Sequence, residues 1–245
     1  MLSSHGCLLS ARLSLAWALI IGLLSLSAGP AGAHSVPSAP SSWDDSLDTS
    51  TSAPPLPASW NRVSVWVGGA SLNGRLIGTV PQSALGMLGV RYHRRLAPSP
   101  NARHSQGLTY TYTIDALPVV GLTIPDGTIP KTSFNGRTTF TEGVTTYGVG
   151  LSPIGLRLNY RTGARVEPYV AGSTGAVYFF QSLPDGRGKA MNFMVDAGVG
   201  LQIGLTSQTM LSVGYRYHHL SNGFRGDINP GIDSHLFHAG LTVVP

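Results

Sequence analysis

The chain has 245 residues and a formal net charge of +5, yet only 11% of its residues are charged and 31 are glycine. So few charges argue against an ordinary soluble domain. Beyond residue 33 no apolar run approaches the roughly 18 residues that a membrane-crossing helix needs, which leaves the closed β-barrel as the structure able to cross a bilayer.

At the N-terminus, Arg12 precedes an apolar stretch over residues 13–29, and Ala31-Gly32-Ala33 supplies small residues for cleavage. This is the pattern of a secretory signal peptide over residues 1–33, cut after Ala33; its apolar core is too short for an anchor and ends in Gly-Pro. The single cysteine, Cys7, would leave with it, and with it disulfide, thiol and lipid-attachment chemistry. Residues 34–61, rich in Ser and Pro, read as a disordered linker without a core of its own. Residues 62–245 carry 15 Lys and Arg against 8 Asp and Glu, and 13 of the 15 are Arg. Arg pairs bidentately with phosphate, so an anionic partner is favoured, and export sets nucleic acid aside.

From residue 62 onward a two-residue period dominates. Val63, Val65 and Val67 alternate with Ser64, Trp66 and Gly68. Leu88, Val90 and Tyr92 alternate with Gly89, Arg91 and His93; Leu108, Tyr110, Tyr112 and Ile114 alternate with threonines and Asp115. Leu156, Leu158 and Tyr160 alternate with Arg157, Asn159 and Arg161, and a less regular run covers 166–181. The clearest segment is 191–205, where Met191 through Leu205 keeps one parity apolar and the other Asn, Asp, Gln and Gly, with Met194 as the one misfit. Two further runs cover 208–221 and 232–244. Together these predict an all-β fold, an eight-stranded antiparallel transmembrane β-barrel over residues 62–245. Its apolar face would meet lipid and its Arg, Asn, Thr and Gly face would line the interior. Alternation alone leaves the reverse arrangement of a soluble ligand-binding barrel open; composition and export favour the membrane. Short connections near 163–165 and 206–207 alternate with longer ones near 72–83, 122–144 and 222–231, as periplasmic turns alternate with extracellular loops.

The seventh segment keeps His219 and Ser221 on the parity of Val213, Tyr215 and Tyr217, which places both on the lipid face at the strand's outer end. A polar pair there is costly unless it has a purpose. His219 as general base and Ser221 as nucleophile would support acyl transfer. Asp233 shares the parity of Phe237, Ala239 and Leu241 on the next segment and would orient the imidazole. Asn229, in the turn Asn229-Pro230-Gly231, could donate to a developing oxyanion. Parity splits the four histidines, with His219 and His235 outward and His218 and His238 inward, so no metal site is expected. The sequence has neither a Gly-x-Ser-x-Gly elbow nor a P-loop, and no cofactor is expected.

His219-Leu220-Ser221-Asn222, followed by Asn229-Pro230-Gly231 and an acid at position 233, resembles the active-site region of the PagL-type lipid A 3-O-deacylases and the wider acyloxyacyl-hydrolase-like group of exported barrels. A looser resemblance runs across residues 62–245, through VSVWVGG and LSPIGLRLNYR. It implies an outer-membrane esterase that removes an ester-linked 3-hydroxyacyl chain from lipid A, with His219 as base, Ser221 as nucleophile and Asn229 at the oxyanion. The acid is Glu in the best-known members and Asp233 here, one methylene shorter. The implied partner is lipid A or lipopolysaccharide, whose phosphates an exposed Arg225 could meet. The competing reading is a non-enzymatic outer-membrane barrel with a structural or binding role, acting through loops 122–144 and 222–231. Such a barrel would have no need of matched parity among His219, Ser221 and Asp233.

Overall fold

The computed structural model describes residues 61–70, 76–80, 82–97, 107–132, 138–160, 162 and 164–243, all within the unit Ser50–Pro245. The expected signal peptide and, apart from Asn61, the expected linker lie outside the described residues. The strands are β1 (Asn61–Ala70), β2 (Ala84–Ala97), β3 (Thr109–Ile124), β4 (Pro130–Thr132), β5 (Thr138–Phe140), β6 (Val144–Asn159), β7 (Val166–Leu183), β8 (Lys189–Gly204), β9 (Thr209–Ser221) and β10 (Ile232–Val243). Eight of them close into one antiparallel barrel in the order β1-β10-β9-β8-β7-β6-β3-β2, and β4 and β5 form a small hairpin between β3 and β6.

Over much of the barrel, side chains sort between the two faces by polarity. On β8, Phe193, Val195 and Val199 are exposed outside, whereas Asn192, Asp196 and Gln202 are buried inside. Val63 and Val65 on β1, Leu156 on β6, Val170 on β7 and Leu241 on β10 extend the exposed apolar band around the barrel. Arg62, Arg91, Arg157 and Arg216 are buried in the interior, while Arg161 lies outside the described residues. A water-soluble barrel would show the reverse, so this one spans a membrane.

The interior has two layers. At the end where β1 begins it is polar. Arg91 donates to Asp115 through Nε at 2.7 Å and Nη2 at 2.8 Å, and Trp66 Nε1 donates to the same carboxylate at 2.9 Å. The Arg216 guanidinium lies 4.9 Å from the Trp66 ring centroid, and that of Arg157 lies 3.5 Å from Tyr169. Removing one partner of the Arg91–Asp115 pair would strand a buried charge, at a cost of about 3–5 kcal/mol.

At the other end the interior is apolar, a departure from the polar lining expected throughout. Leu85, Met87, Val120, Leu122, Ile124, Val177, Phe179, Leu220 and Leu236 pack there in one cluster. A proline bulge on β3 helps to build it. On β3 the pairing with β6 steps from Leu117↔Gly150 to Val120↔Gly148, so an extra residue sits at Pro118-Val119. The inward set changes there from Thr113, Asp115 and Leu117 to Val120, Leu122 and Ile124. On β6 a second extra residue sits at Pro153-Ile154. Proline cannot donate to a ladder and is tolerated at such interruptions, where the displaced residue re-aims all that follow.

The connections 160–165 and 205–208 are tight and share one end of the barrel, as expected. Those over 71–83, 125–143 and 222–231 are long and share the other. The alternation is not strict: 184–188 is tight at the long-loop end, and 98–108 is long at the opposite end. The long-loop end is called the outer end below.

Candidate active site

Antiparallel pairing of β9 with β10 sets Asp233 directly across from His219. On the other side, β8 sets Val195 across from His219 and Phe193 across from Ser221. All of these side chains face outward at the outer end. His219 Nδ1 lies 2.6 Å from Asp233 Oδ1. The shorter acid reaches because the two residues are direct cross-strand partners, whose Cα atoms stand only about 4.5–5.5 Å apart. With Nδ1 committed to the carboxylate, Nε2 is the nitrogen placed to take a proton.

Ser221 lies on the same outward face as His219, two residues on, and is partly exposed. Among the described residues its Oγ makes no hydrogen bond, to His219 or to any other group. The structure therefore joins two of the three expected catalytic side chains and sets the third beside them. Bonds of this kind often tighten only in the substrate complex.

Ser221 and Asn229 line one small cleft, together with Asn222, Pro230, Gly231 and Ile232. The Asn222 backbone N–H donates to Asn229 Oδ1 at 2.9 Å, and Asn222 Nδ2 donates to the Ile228 carbonyl at 2.7 Å. These bonds tie the loop across itself and use the oxygen of the Asn229 amide, which leaves its Nδ2 end as a donor. Gly231 is needed twice over. Its φ of 63° lies in the left-handed region, and a Cβ there would meet His219 Cε1 at 3.1 Å.

Sequence reasoning missed the segment 76–80. Asp233 faces outward as expected, yet it is fully buried, because this part of the β1–β2 connection lies over it. The backbone amides of Ile77 and Gly78 donate to Asp233 Oδ2 at 2.8 and 2.7 Å, and that of Leu76 donates to the Tyr217 hydroxyl at 3.3 Å. A Cβ on Gly78 would lie 2.9 Å from both the Asp233 backbone nitrogen and Oδ1. No periodicity marks such residues; a glycine in a polar connection was the sole sequence signal.

Around the site, Tyr215 and His235 share a 2.6 Å hydrogen bond between the hydroxyl and Nδ1, and Tyr217 meets the His235 ring edge-on. Arg225, expected as an exposed cation, is held at the rim. Its Nη2 donates to the Met191 carbonyl at 2.7 Å, its Nε to that of Asn222 at 2.9 Å, and its guanidinium lies 4.6 Å from the Phe193 ring centroid. His218 and His238 point inward, His238 Nε2 lying 3.0 Å from the Tyr169 hydroxyl.

A family model described as lipid A 3-O-deacylase (PagL) matches residues 86–242. No curated protein matches the sequence significantly. Among solved structures, the outer membrane enzyme PagL is similar at 19% identity, over 73% of this chain and 97% of that one, with a TM-score of 0.47. Neisserial surface protein A (NspA) is similar at 15% identity, over 76% and 97%, with a TM-score of 0.40. The NanC porin is similar at 10% identity, over 75% and 100%, with a TM-score of 0.27.

Proposed function

This chain belongs to the lipid A 3-O-deacylase (PagL) family, and from that premise we propose that it is an outer-membrane esterase releasing an ester-linked 3-hydroxyacyl chain from lipid A. Its catalytic groups are His219, Ser221 and Asp233. The observation that carries this reading is the 2.6 Å His219–Asp233 contact on the outward face of a membrane barrel, with a serine two residues away. Such a pair is expensive beside lipid and contributes nothing to the packing of the interior.

In the reaction, Ser221 Oγ attacks the ester carbonyl carbon while its proton passes to His219 Nε2. Asp233 holds the Nδ1 proton and stabilises the imidazolium. The developing oxyanion is met by the Asn229 amide. Collapse of the tetrahedral intermediate breaks the bond between the acyl carbon and the sugar oxygen, and His219 returns the proton to the departing hydroxyl. Water, deprotonated by His219, then hydrolyses the acyl-Ser221 ester and frees the fatty acid. No metal or cofactor enters these steps. The released chain lies along the exposed apolar face of β8, over Phe193 and Val195. Residues 1–33 act as the export signal and 34–60 as the linker that precedes the barrel, whose first strand begins at Asn61.

The test is mass spectrometry of lipid A from cells expressing the wild type or Ser221→Ala. Loss of one hydroxyacyl mass is expected with the wild type alone, since removing a nucleophile of this kind costs on the order of 10⁴–10⁶ in rate. Unchanged lipid A, with the barrel folded in the outer membrane, would point instead to the non-enzymatic reading.

A further inference from the structure

We infer that the segment 76–80 is a positioning element of the active site, whose Ile77 and Gly78 amides hold the Asp233 carboxylate in register with His219. On this account β9 and β10 do not complete the site by themselves; the connection between β1 and β2 does. The inference rests on the proposed function and adds a component to it.

Without the segment, Asp233 would present Oδ2 outward to lipid without its two backbone donors, and an undersolvated carboxylate oxygen is costly. With it, two amides meet that oxygen at 2.8 and 2.7 Å, lengths typical of bonds to a charged acceptor. Oδ1 is left to His219 Nδ1. One oxygen is thus anchored to backbone and the other to the imidazole, so the carboxylate cannot turn about its own axis without losing both sets of bonds. That fixes the proton on Nδ1 and keeps Nε2 ready for Ser221.

The segment is itself fastened. Thr79 N donates to the Pro230 carbonyl at 2.7 Å and Val80 N to that of Gly231 at 3.2 Å, which ties it to the turn packed against His219. The Val80 side chain is 1% exposed and sits in the apolar cluster at the outer end. Leu76 and Ile77, by contrast, turn their side chains outward, at 78% and 64% exposure. What the segment brings to Asp233 is therefore main chain, and Gly78 is the residue whose missing Cβ permits the approach.

The test uses the full-length barrel purified in detergent micelles with lipid A as substrate. Ile77→Pro deletes one donor and should lower kcat roughly 10- to 100-fold, in keeping with a lost hydrogen bond to a charged group. KM should stay within about twofold, because the substrate meets no altered side chain of the catalytic groups. Ile77→Ala keeps the amide and should recover the rate. Gly78→Ala, which crowds Asp233 without deleting a donor, should lower kcat as well. In an Asp233→Asn background Ile77→Pro should have no further effect, the signature of a residue acting through its partner. Equal losses from Ile77→Pro with and without Asp233, or no loss at all, would overturn the inference.

A second readout does not depend on turnover. The His219 Nδ1 proton should give a strongly downfield resonance in the ¹⁵N-labelled barrel, and Ile77→Pro should weaken or shift it. Should the wild type leave lipid A intact, the proposed function fails and this resonance decides the positioning role alone. Its change in Ile77→Pro would support the role, and its persistence unaltered would overturn it.

Discussion

At position 233 the chain carries the shorter of the two acidic side chains, and the site is built to that length. Asp233 lies directly across the ladder from His219 and is closed over by Gly78, so no slack remains for a longer acid. Asp233→Glu should therefore lower kcat, by roughly 10-fold if the added methylene costs the 1–3 kcal/mol usual for overpacking. Steady-state rates on lipid A would check this, and a rise in kcat would show the site to be roomier than its geometry implies. The outward faces of His219, Ser221 and Asp233 were legible because β-strand parity is a property of side chains. The amides of Ile77 and Gly78 were not legible, because every residue type but proline carries that donor and the bond from Gly78 spans 155 positions in sequence.

Among the elements, β8 was the easiest to read and β3 the hardest, for one physical reason. The parity of β8 runs without interruption from Lys189 to Gly204, so a count of alternate residues reaches both ends correctly. On β3, Pro118 and Val119 insert a residue and exchange the two faces midway. A reading by alternation assigns Val120, Leu122 and Ile124 to lipid when they fill the interior. The outward parity of β8 can be tested directly. Val199 is 53% exposed in the middle of the strand, and Val199→Arg should destabilise the barrel by about 2–4 kcal/mol if that face meets hydrocarbon near the midplane. Denaturant unfolding in phospholipid vesicles would measure it, and a change of a few tenths would place that position at an interface instead.

For the molecule as a whole, the eight-fold strand count and the membrane-facing side chains followed from composition and period, whereas strict alternation of loop lengths did not hold. Orientation in the envelope is open to a direct measurement, since the expected loss of Cys7 leaves a cysteine-free background. Phe224 is 87% exposed in the connection beside the site, and Gln208 is exposed in the opposite turn. A membrane-impermeant maleimide should label Phe224→Cys on intact cells and Gln208→Cys only after permeabilisation; the opposite result would put the proposed catalytic groups in the wrong leaflet for lipid A. The two-layered interior has a consequence of its own. Leu117, Val120, Phe179, Leu220 and Leu236 pack together in the outer end of the lumen, and the buried arginines lie beneath them. Among the described residues this apolar cluster stands between the polar layer and the outer end of the lumen, an arrangement that opposes the passage of hydrated ions and small solutes. On that account a cell would be able to insert many copies into its outer membrane without adding conductance or opening a route for antibiotics, so that the proposed activity would remodel the surface and leave the permeability barrier intact.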